Sequence, residues 1–107
     1  MKRVSVFVGA VALAVCAGAA VALAGAEGGK QVFDAKKCIM CHSLGAQKGA
    51  MAQLGGALDG VGGKRDAAWL KAFVVDPKSK NPEAKMPKQV LSDQELADLV
   101  DYLLSLK

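Results

Sequence analysis

An all-α fold, short helices joined by glycine-rich loops, is what this chain predicts, and three observations predict it. The periodic segments follow helical spacing, and no run alternates apolar and polar residues as a half-buried strand would. Glycine crowds residues 43–63, at Gly45, Gly49, Gly55, Gly56, Gly60, Gly62 and Gly63, so that stretch reads as loop. The third observation is Cys38-Ile39-Met40-Cys41-His42, a C-x-x-C-H run and the attachment signature of c-type haem. A loop of that length in a small domain argues against itself unless it covers something. One covalently attached haem gives it a surface to wrap.

The elements follow in chain order. Met1-Lys2-Arg3 is a basic start, and the run from Val4 to Ala26 is apolar except for Ser5. Ala22-Leu23-Ala24 and Ala24-Gly25-Ala26 both fit an A-x-A cleavage pattern, so residues 1–26 read as a signal peptide. The run also has the length of an N-terminal membrane anchor, the less favoured alternative. Cys16 admits a third option, a lipidated cysteine, although Val15 before it is bulkier than such sites take; a bystander role is preferred. All three readings export residues 27–107, to the periplasm or the outer face of the bacterial cytoplasmic membrane.

The exported part is one small domain, poor in aromatics, that a metal or other staple would help to hold together. Without Lys2 and Arg3, 12 of the 14 basic residues face 10 acidic ones, a net of +2. That balance argues against a nucleic-acid partner. Val32 and Phe33 give the first short helix, running from about Gly29 towards Cys38, its apolar contacts. Asp66 caps the next helix, whose apolar residues are Trp69, Leu70, Phe73 and Val74. It ends at Asp76-Pro77, because the residue before proline resists the helical region. Residues 78–90 form a second loop, with Pro82 and Pro87 in it. In the last helix, Ser92 and Glu95 make a capping box, and Leu91 and Leu96 a hydrophobic staple. Leu96, Leu99, Val100, Leu103 and Leu106 mark its apolar stripe.

The chemistry of the C-x-x-C-H run explains its spacing. Two thiols three residues apart fall on one side of a helical turn, so Cys38 and Cys41 can both bond one porphyrin. His42 then lies under the iron as an axial ligand. A thioredoxin-like pair would sit in a βαβ pattern, which is missing here. A zinc site needs about four ligands, and His42 is the only histidine. Filling the second axial position keeps substrate away from the iron, and a soft thioether there favours the ferrous state. Met51 and Met86 are the methionines that could serve, and core filling is the bland role for either. Met86 is better placed, since Pro87 stiffens its loop and helices anchor both ends.

Taken together, a G-x-x-x-F helix, C-x-x-C-H, the glycine loop with Leu58-Asp59-Gly60-Val61-Gly62, a W-L-x-x-F helix, Lys85-Met86-Pro87 and a leucine-rich terminal helix form a recognisable order. Over residues 28–107 the chain resembles a small bacterial class I c-type cytochrome with one haem. The resemblance implies the cytochrome c fold, haem c held by Cys38 and Cys41, and iron held by His42 and Met86. It implies that Gly29 and Phe33 pack near Tyr102, where the first and last helices cross. The family commonly places proline after the loop glycine, and that proline's carbonyl accepts the proximal histidine's other N–H. Here the pair is Gly55-Gly56, so Gly56 becomes the candidate acceptor. Lys64, Arg65 and Trp69 stand where similar proteins bind the haem propionates.

Such a protein is a one-electron carrier, not an enzyme, and a monomer is expected. Lys48, Lys78, Lys80, Lys85 and Lys88 belong to the two loops that should flank the haem edge. They would make a basic rim for redox partner proteins with acidic docking surfaces, or serve solubility alone. Two alternatives remain: a membrane-tethered subunit of an oxidoreductase complex, and an open-site haem enzyme or sensor. The lack of a second histidine counts against the latter.

Overall fold

The computed structural model describes residues 25–107. Expectations that fall on residues 1–24, Cys16 among them, lie outside the described residues. The elements are helix α1 (Ala26–Ala35), strands β1 (Ser43–Leu44) and β2 (Gln47–Lys48), helices α2 (Ala52–Gly55), α3 (Val61–Lys64) and α4 (Ala67–Val75), and helix α5 (Asp93–Leu104). Short 3-10 turns occupy Cys38–Met40 and Pro77–Ser79. Among the described residues no helix is long and apolar enough to cross a membrane.

The core sits where α1, α4 and α5 meet. Phe33, Leu70, Val74, Leu99, Val100 and Leu103 are its buried side chains. The two terminal helices cross closely at a glycine: a Cβ on Gly29 would collide with the Asp98 carbonyl and the Tyr102 Cβ. One turn on, the Phe33 ring meets Tyr102 with centroids 5.3 Å apart and planes tilted by 56°. That tilted offset is the arrangement aromatic quadrupoles prefer.

Local sequence signals set the helix ends. The Asp66 carboxylate accepts the Trp69 N–H at 2.8 Å, satisfying one donor that the first turn of α4 leaves unpaired. At α5 the capping box is complete: Ser92 Oγ accepts the Glu95 N–H at 3.1 Å, and Glu95 Oε1 accepts the Ser92 N–H at 2.9 Å. The Ser92 N–H, with the Ser92 side chain adding to it, holds the Glu95 carboxyl below its ordinary range. Leu106, the last member of the apolar stripe, lies beyond the helix end at Leu104.

Three features differ from the sequence expectation. Helix α1 begins at Ala26, ahead of Gly29, because the Gly25 carbonyl accepts the Gly29 N–H at 2.7 Å and Gly25 N–H reaches Asp98. The glycine-rich stretch is not bare loop. Its strands pair antiparallel, Ser43 opposite Lys48 and Leu44 opposite Gln47. Gly45 supplies a positive φ of 59° at the bend, and its N–H is clamped by both Asp59 carboxylate oxygens at 3.2 and 3.0 Å. Further along, α3 closes against the end of α5, where Gly62 N–H donates to the Leu106 carbonyl at 2.8 Å. The third difference is Lys37, a non-glycine residue at φ 57°, which turns the chain out of α1 into Cys38.

Candidate haem-binding site

Lys37 ends α1 in the left-handed region, and the chain then coils tightly through Cys38–Met40. The His42 N–H closes this turn by donating to the Cys38 carbonyl at 3.0 Å. Cys38 and Cys41 are free thiols, both half-buried. Burial pushes the Cys38 thiol up, with the Asp34 carboxylate adding to the effect against a lowering backbone hydrogen bond. The shift favours the protonated thiol over the thiolate.

His42 is gripped from its Nδ1 side. The Gly56 carbonyl lies 3.2 Å from Nδ1, an acceptor that favours the tautomer protonated there and leaves the Nε2 lone pair unprotonated. Burial lowers the imidazole's pKa, and the backbone contacts of Gly56 and Gly55 oppose that shift. The neutral ring is the form a metal requires.

Two glycines make this grip possible, each for its own reason. Gly56 has φ 74° and ψ −174°, a backbone that proline, locked near φ of about −65°, cannot adopt. This chain therefore does not mimic the family's proline; it reaches a carbonyl acceptor by another backbone route. Gly55 is a matter of space. A Cβ there would stand 2.6 Å from Cε1 and 2.7 Å from Nδ1 of His42. Its N–H also donates to the Cys41 carbonyl at 2.7 Å, and Ser43 N–H joins His42 on the Gly56 carbonyl at 3.1 Å.

Beyond the histidine, Cys38, Ile39, Leu44, Leu58, Val61 and Trp69 are half-buried and packed against the core, an apolar wall suited to a porphyrin. Trp69 stacks on Phe73 at a centroid distance of 4.9 Å, with planes 10° apart. The Arg65 guanidinium lies over the Trp69 ring at 4.0 Å from its centroid, a cation–π contact. Arg65 and Trp69 thus act as one unit, while Lys64 is exposed on the last turn of α3. Met86 is half-buried in the second loop, lining a cleft of about 520 Å³ with Asp76, Pro82 and Lys88 among others. Met51 caps α2 and is 42 % exposed, which suits neither a core filler nor a held ligand. Lys48, Lys78, Lys80, Lys85 and Lys88 are all exposed, and Lys88 Nζ stands 4.0 Å from Asp76 Oδ1.

Sequence reasoning missed Gly55 as a builder of this site and Asp59 as the clamp on the β1–β2 bend. The adjacent glycine pair was the available signal for Gly55; Asp59 acts on Gly45 across 14 residues and left none. The donor set fits haem c: two accessible thiols, an imidazole with Nδ1 engaged, and an apolar wall. A metal cage fits poorly, since no group of three His, Cys, Asp or Glu side chains gathers as one among the described residues.

Comparison with known proteins agrees. No curated protein and no solved structure matches the chain, but the sequence profile of the family described as Cytochrome c matches residues 26–107. That match spans all the helices above and the C-x-x-C-H turn. The chain belongs to the cytochrome c family, an electron-transfer protein that carries covalently bound haem c.

Proposed function

We propose that this chain is an exported carrier of single electrons whose haem iron takes His42 and Met86 as axial ligands. The observation that carries the reading is the His42 Nδ1 contact with the Gly56 carbonyl at 3.2 Å. It orients the ring and favours the Nδ1-protonated tautomer ahead of ligation, which supports a site that must not reorganise between oxidation states. When bound, the haem supplies the Fe(III)/Fe(II) couple. The chain's residues do the rest. Cys38 and Cys41 would hold the haem through thioether bonds, each S–H adding across a vinyl double bond, and His42 would offer Nε2 to the iron. Met86 offers a soft thioether that raises the potential. Trp69, with Arg65 stacked on it, meets the propionate side. The apolar wall keeps water from the iron and lowers the charge rearrangement on electron transfer.

Export follows from the leader, residues 1–26, and the periplasm is the compartment proposed. The lysine rim of Lys48, Lys78, Lys80 and Lys85 suits acidic redox partners by raising the encounter rate. The test is a spectrum of the protein matured in a host that attaches haem c. Wild type should show the weak sulphur-to-iron band when oxidised and resist carbon monoxide when reduced. Met86→Ala should lose the band, bind carbon monoxide and fall in potential, while Met51→Ala should change none of these. Survival of the band in Met86→Ala would remove Met86 from the iron.

A further inference from the structure

We infer that the leader is cut after Ala24, so that the mature chain begins at Gly25 and its α-ammonium docks on Asp98 and Asp101 of α5. The inference rests on the exported reading and adds a processing site to it. Two A-x-A patterns compete, ending at Ala24 and at Ala26. Only a start at Gly25 keeps the contacts that this residue makes in the fold.

Gly25 is already part of the domain. Its nitrogen lies 3.1 Å from Asp98 Oδ1, and its carbonyl accepts the Gly29 N–H at 2.7 Å, closing the first turn of α1. A second carboxylate is close by, with Asp101 Oδ2 3.6 Å from the point where a Gly25 Cβ would stand. Gln94 Nε2 holds Asp98 Oδ1 at 2.8 Å, so the acceptor is oriented. A cut after Ala26 would remove all of this. Gly29 N–H would lose its acceptor and Asp98 would lose the nitrogen.

A cut after Ala24 does the reverse. It turns one amide N–H into an ammonium with three donors, charged at neutral pH, beside two carboxylates on the opposite helix. The link would join the first and last helices one turn from the Gly29 crossing, tying the free end of the chain to the core.

The experiment is the intact mass and N-terminal sequence of the haem-loaded protein recovered from a maturing host. The inference expects a start at Gly25-Ala26-Glu27, with 83 of the 107 residues and one haem. A start at Glu27 overturns it and leaves the exported carrier standing. An uncut chain of 107 residues bearing haem overturns it together with the cleaved leader. Docking is read separately, by amine-directed labelling of the terminus at neutral pH. The Gly25 amine should label roughly three-fold or more slowly in wild type than in Asp98→Asn/Asp101→Asn, because a nearby carboxylate keeps an amine protonated. Equal rates would overturn the docking.

Discussion

Gly62 and Gly63 are neighbours in the same single-turn helix, and alanine at each should act with opposite sign. At Gly62 an added Cβ would collide with the Leu104 carbonyl oxygen and stand 2.6 Å from its carbon and 3.0 Å from the Leu103 oxygen. Ordinary contact needs about 3.5–4.0 Å, so α3 must retreat by about 1 Å from the end of α5. The retreat stretches the Gly62 N–H bond to the Leu106 carbonyl, 2.8 Å in the native fold. Overpacking costs about 1–3 kcal/mol and the weakened hydrogen bond about 0.5–1.5, offset by about 0.8–1 kcal/mol of helix propensity gained. The net loss is about 1–3 kcal/mol, or a Tm lower by about 5–20 °C for a domain of this size. At Gly63 a Cβ meets nothing within 4 Å, so only the propensity and unfolded-state gains remain. Gly63→Ala should therefore raise Tm by about 2–8 °C. The assay is thermal unfolding of the haem-loaded protein by far-ultraviolet dichroism and haem absorbance together. If Gly62→Ala melts with wild type, or Gly63→Ala falls as far as its neighbour, the close-approach argument is wrong.

Three other substitutions probe the backbone and the caps. Gly56→Pro, which restores the family's usual residue, should destabilise by about 2 kcal/mol or more, because φ 74° is closed to proline and the Gly56 N–H bond to Ala52 is lost. Denaturation and the His42 ring N–H proton signal check it, and retention of both would refute it. Lys37→Gly relieves a left-handed backbone that costs a side chain about 1 kcal/mol, so its denaturation midpoint should rise. Glu95 titrates below its ordinary value of 4.5 because Ser92 bonds its charged form. A folded value below the unfolded one means that this stability is whole above about pH 4.5 and is lost as pH falls through the lowered value. Glu95→Gln keeps an oxygen for Ser92 N–H but cannot titrate, so its stability deficit should shrink in acid. A constant deficit from pH 7 to pH 3 would refute the linkage.

What the sequence made legible was local. Asp66 and the Ser92/Glu95 box act on backbone three residues away, and both caps stand as their spacing implies. The end of α4 before Pro77 is equally local. What stayed hidden was set by distant partners. The start of α1 depends on Asp98, 73 residues from Gly25, and no pattern near Gly25 carries that information. Strands of two residues are too short for any period to show, and the Asp59 clamp that shapes their bend is not a neighbour in sequence. The haem site divides the same way. Cys38, Cys41 and His42 announce themselves in five residues, whereas the Gly56 carbonyl could be suggested only through the family resemblance.

The two sides of the proposed iron site are built to different standards. On the His42 side, backbone bonds cross-brace the ligand: Gly55 to Cys41, Ser43 to Gly56 and Leu58 to Ser43, at 2.7, 3.1 and 2.9 Å. Each links segments ten or more residues apart, so His42 cannot move without breaking several at once. The Met86 loop is held mainly at its margins, by Gln89 N–H on the Val74 carbonyl at 3.2 Å and by the turn from Asn81 to Ala84 at 2.9 Å. Its nearest side-chain bond, from Gln89 Nε2 to the Pro87 carbonyl, is local and exposed. Loops with few long-range bonds open at lower free energy than braced ones. Under the proposed ligation, the thioether is therefore the contact that yields first to mild denaturant, while the imidazole stays until the fold is lost.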